Sequence, residues 1–89
     1  MATTDIDART AELALAVLDE RIEAQRRKVL DAARRLHPGF AESDLRRVQE
    51  FPNVFRDPAF RFEDGQLAAY VAAKIALKAR LAGGGGASA

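Results

Sequence analysis

The 89-residue chain has no cysteine and no tryptophan, and only one histidine, His37. Without cysteine there is no disulfide framework, no thiolate metal site and no cysteine nucleophile. One imidazole rules out a multi-histidine metal centre. No run approaches the ~18 consecutive apolar residues of a membrane-spanning helix, and the acidic N-terminus does not read as a secretory signal. Glycine-rich nucleotide loops, HExxH and CxxC are also missing. Four of the six glycines form one run, Gly83 to Gly86, which no strand precedes and no helix follows.

What remains is material for one small domain. The composition is 48% hydrophobic, yet nineteen of those residues are alanine, which builds helix and buries little area. The core is therefore expected to be thin. With 30% charged residues, the chain reads as ordered, soluble and cytoplasmic.

The net charge of +1 conceals a division along the chain. Residues 1–20 carry a net −4 and residues 21–48 a net +4. The basic stretch comprises Arg21, Arg26, Arg27, Lys28, Arg34, Arg35, Arg46 and Arg47. Such a patch fits contacts to nucleic acid, most directly through Arg26, Arg27, Arg34, Arg35, Arg46 and Arg47. Acids early and bases late also simply match a helix dipole, and the near-neutral total favours that simpler reading.

The first segment, from about Thr4 to about His37, has neither glycine nor proline and reads as one long helix. Thr3, Thr4 or Asp5 is the expected cap, and His37-Pro38-Gly39 the stop. Ala8, Ala11, Leu15, Leu18, Ile22, Gln25, Val29, Ala32 and Leu36 recur at steps of three and four, a heptad seam interrupted once by Gln25. A polar residue there either fixes the register of a helix pair or sits near a buried end.

Residues 38–62 hold all three prolines and all five phenylalanines. A short helix is expected over 42–50, with Ser43 or an earlier residue near its cap, Leu45 and Val48 facing inward and Phe51-Pro52-Asn53 ending it. Asp57-Pro58 can open a further turn. So apolar a connection should fold back as a lid. Its rings Phe51, Phe55, Phe60 and Phe62 alternatively offer a surface to a partner.

A last helix is expected over about 63–82, followed by a flexible tail at 83–89 suited to a tether. On a helical wheel Leu67, Val71 and Ile75 form one stripe and Tyr70, Leu77 and Leu81 another, with Lys74 and Lys78 between them. Alanine fills most of the rest, and a helix apolar all round usually has neighbours on several sides.

Residues 1–82 are thus expected to form a single all-α domain, a hairpin of two long antiparallel helices joined by a Phe/Pro-rich segment. A helix of about 33 residues spans ~50 Å at ~1.5 Å per residue. A globule of this chain length would be only roughly 30 Å across. The shorter last helix would leave Ala11, Leu13, Leu15, Val17, Leu18 and Ile22 without a full intrachain cover, and these are the expected self-association interface. A homodimer completing a bundle follows, with the acidic half of one long helix beside the basic half of another; a hetero-partner helix is the alternative.

Catalytic groups are sparse. His37 could draw on Glu42, Ser43 or Asp44, but a helix-terminal histidine bound to the last carbonyls is the plainer account. Asp57, Glu63 and Asp64 match no calcium loop. Tyr70 and Lys74, one turn apart, read as packing. No cofactor, metal or membrane contact is expected. The chain reads as a non-enzymatic interaction module, a subunit, adaptor or chaperone-like partner. A nucleic-acid-associated protein, or an accessory subunit or cargo, stands as the alternative.

Overall fold

The computed structural model describes residues 7–83. Its elements are α1 (Ala8–Leu36), a 3-10 helix (Glu42–Glu50), α2 (Pro52–Phe55) and α3 (Pro58–Gly83). The architecture is all-α, with no strand among the described residues.

Helix α1 starts where Asp7 supplies a cap. Its backbone is extended, and its carboxylate accepts a hydrogen bond from the Thr10 N–H at 2.7 Å. The cap is therefore Asp7; Thr3, Thr4 and Asp5 lie outside the described residues. At the other end the His37 N–H donates to the Ala33 carbonyl at 2.9 Å, and the Asn53 side-chain amide donates to the Leu36 carbonyl at 3.2 Å. Two of the carbonyls that a helix end leaves unpaired are thus satisfied. Gly39 contributes less than expected: its backbone is not left-handed, and a Cβ there would meet nothing within 4 Å. Proline, rather than glycine, stops this helix.

The connecting segment is 3-10 in character, in two pieces that meet at a kink. Leu45, Val48 and Phe51 all pack on the core. The cap is the earlier residue Ala41 rather than Ser43, and its N–H donates to the Asp44 carboxylate at 2.9 Å. Arg47 breaks the helical backbone at φ −132°, ψ 39°. Phe51-Pro52-Asn53 then begins a new turn, α2, because proline suits a first helical position.

Helix α3 begins at Pro58, about five residues before the expected start. Asp57 caps it by accepting from the Phe60 N–H at 2.9 Å, and nothing between Pro58 and Glu63 interrupts it. The longer helix has a seam that the wheel of its second half obscured. Phe60, Glu63, Leu67, Tyr70, Lys74, Leu77 and Leu81 step alternately by three and four, and each is buried or half-buried. Lys74 thus lies on the seam instead of in a gap, where its ammonium pairs with Asp19 of α1.

Antiparallel packing follows from two cross-helix contacts. Gln25 meets Glu63 and Asp19 meets Lys74, so numbers fall along α1 as they rise along α3. The fully buried large side chains, Val29, Phe40, Val54 and Phe60, all lie at the closed end of the hairpin. There the 3-10 segment and α2 add a third layer over Leu30, Ala32 and Ala33. Toward the open end only two helices remain. The molecule is a rod of 52 × 24 × 20 Å with a radius of gyration of 16.9 Å, against ~12 Å for a compact chain of this length.

Two stability outcomes follow. Phe60→Ala, which empties a fully buried ring site, should cost about 3–5 kcal/mol in urea unfolding. Gly65→Ala should instead stabilise by about 0.5–1 kcal/mol, since Gly65 is exposed inside α3 with space for a Cβ.

Candidate interaction surface

The six apolar residues expected at an interface divide when α3 is laid against α1. Ile22 is buried, and Ala11, Leu15 and Leu18 are half-buried along the line of contact with α3. Leu13 and Val17, which sit off that line, remain 60% and 53% exposed. Register accounts for the cover, because Glu63 lies beside Gln25 and Lys74 beside Asp19, so the rest of α3 runs down the first half of α1.

The phenylalanines divide in the same way. Phe40 and Phe60 are core residues, and Phe51 is half-buried against them. Phe55 is at the edge of exposure, and its ring carries the Arg61 guanidinium at 5.3 Å. Phe62 is 63% exposed, and Ile75 on α3 is 62% exposed. Ala68, Ala69, Ala72, Ala73, Ala76 and Ala79 complete an outer arc of α3 that one chain leaves bare.

The basic residues are unequally engaged. Arg26 pairs with Glu23 at 2.7 Å and lies 3.7 Å from Glu42, while Arg47 pairs with Asp44 at 2.9 Å and Glu50 at 3.0 Å. Arg34 donates from Nε to the Phe40 carbonyl at 2.8 Å and so holds the turn after α1. Arg27, Arg35 and Arg46 have no carboxylate partner among the described residues. An open depression of about 510 Å³ lies beside Arg26, Glu42, Ser43, Leu45 and Arg46, and its own carboxylate already answers one of its two guanidiniums.

The remaining polar candidates serve the fold. His37 is wedged edge-on between rings, 4.9 Å from Phe51 and 6.4 Å from Phe40. Asp57 caps α3, and the Gln25 side-chain amide donates to both the backbone carbonyl and the carboxylate of Glu63. Among the described residues no three His, Asp or Glu side chains gather in a way that could hold a metal ion. No helix is long and apolar enough to cross a membrane. The glycine tail expected to act as a tether falls at 84–89, outside the described residues, except for Gly83.

No known family model, curated protein or solved structure matches this chain.

Two carboxylates make the lid and the first helix turn sensitive to acid. Asp44 is held below its ordinary value of 3.8, first by the Ala41 N–H and further by Arg47. Asp7 is lowered likewise by hydrogen bonds from Thr10. A carboxylate lowered in the folded state contributes stability that is complete above its ordinary value and is lost as pH falls through the folded value. Stability should therefore decline on acidification below about pH 4, and Asp44→Asn should flatten that decline in urea titrations run from about pH 5 to pH 2.

Proposed function

We propose that the chain is a non-enzymatic helical interaction module that associates with itself. The observation that carries this reading is the exposure of Leu13, Val17 and Phe62, each more than half open on a two-helix rod. Large apolar side chains in such number along one small hairpin mark a surface that gains from being covered. A second hairpin offers matching cover, since four helices can enclose a core that two cannot. The polar groups add support, because their partners cap helices, set register and close turns. Light scattering on a sample of about 50 µM should return twice the chain mass, as any dimer with a Kd below that concentration would be populated. A mass of one chain would overturn the reading.

A second reading is favoured by one observation, the unpaired state of Arg27, Arg35 and Arg46 among the described residues. These side chains would meet phosphates without first giving up an intrachain partner. Only three of the six expected contacts are so placed, since Arg26, Arg34 and Arg47 already have acceptors. The nucleic-acid reading predicts duplex binding at about 50 mM salt that fades steeply as salt is raised. The self-association reading predicts no binding in that titration.

A further inference from the structure

The lid covers only one side of the hairpin. It packs Leu45, Val48 and Phe51 onto the core beside Leu67 of α3, and it reaches Arg26 of α1 through Glu42. Arg26 and Leu30 therefore mark the lidded edge of α1. At ~100° per residue, Leu13, Val17 and Ala24 project from the other edge of that helix. Because α3 runs antiparallel beside α1, Phe62, Ala69 and Ala73 project from the same lid-free side. All six are exposed.

We propose that this lid-free face docks a second copy of the chain, laid antiparallel about a two-fold axis that crosses α1 near Glu20 and Arg21. The proposal rests on the self-association reading and adds the face and the register.

Charge selects the orientation. At the centre of the face, antiparallel copies set Glu20 beside Arg21 of the second copy, whereas parallel copies would stack Glu20 on Glu20 and Lys28 on Lys28. The outward row of α1 selects the register. Leu13, Val17, Glu20, Ala24 and Lys28 follow one another at steps of four, three, four and four. Reversal about the Glu20–Arg21 bond brings Leu13 to the aliphatic stem of Lys28 of the second copy. It also brings Val17 to Ala24 and Glu20 to Arg21. Each ion pair and each apolar contact then occurs twice, as a two-fold interface requires. Ala24, Ala69 and Ala73 allow the helix backbones to approach closely. The rod is 52 Å long and at least 20 Å across in either direction, so one long side has room for the ~800 Å² per partner of an ordinary stable interface.

The absence of cysteine makes the arrangement directly testable. Leu13→Cys and Lys28→Cys chains are prepared separately, mixed, and oxidised with copper phenanthroline. A disulfide between the two variants, with little from either alone, is the expected result. Self-linkage of the Leu13→Cys variant would show parallel pairing and overturn the proposal. A dimer by light scattering with no mixed disulfide would also overturn it, while leaving self-association standing. A chain that stays monomeric would remove both. In a second arm, Glu20→Arg and Arg21→Glu should each raise the dimer Kd roughly 3–10-fold, and the double variant should return it toward the original value. Two single changes without effect, in chains whose helical circular dichroism is intact, would count against the register.

Discussion

Gln25 is the one polar side chain buried among the described residues, and its amide donates at 2.9 Å and 2.8 Å to the carbonyl and carboxylate of Glu63. The rest of the hairpin depends on that pairing. Apolar contacts tolerate sliding by a turn, because one leucine replaces another at little cost. A buried amide does not, since a shifted register would leave its polar atoms without partners, at about 1–3 kcal/mol. Asp19 and Lys74 repeat the device toward the open end, in a more exposed setting where the pair contributes little stability. Orientation and register are thus fixed by polar groups, while burial at the closed end holds the helices together.

Two helices bury only the line along which they touch. At the closed end the lid supplies a third layer, and Phe40, Val54 and Phe60 become fully buried there. No such layer reaches Leu13 and Val17. The thin core and the open apolar surface have the same origin, a chain that spends most of its length on two long helices and only residues 37–57 on what joins them. A second copy on the lid-free face would supply, from outside, the layer that the lid supplies within.

Much of this was legible in the residues. The steps of three and four from Ala8 to Leu36 marked the α1 seam, and Asp57-Pro58 marked the start of a helix. The inward-facing Leu45 and Val48 were legible too, whereas the kink at Arg47 between them has no local signal. The α3 seam was harder to read because a lysine and a glutamate occupy it. Their side chains are tolerated at half-buried positions by partners 38 and 55 residues away, which no local pattern reveals.

The sequence by itself determined the helical class, the hairpin and its stop at Pro38, since backbone propensity and heptad spacing are local properties. It also determined that the charge is divided along the chain. Only the tertiary structure decided which apolar residues are used internally. Phe60 and Phe62 are near-neighbours of identical character, yet one is buried in the core and the other faces outward. That distinction depends on where α3 begins, which edge of the pair the lid covers, and which arginines find carboxylates. These are relations between segments far apart in the chain, set when burial, register and capping are satisfied together.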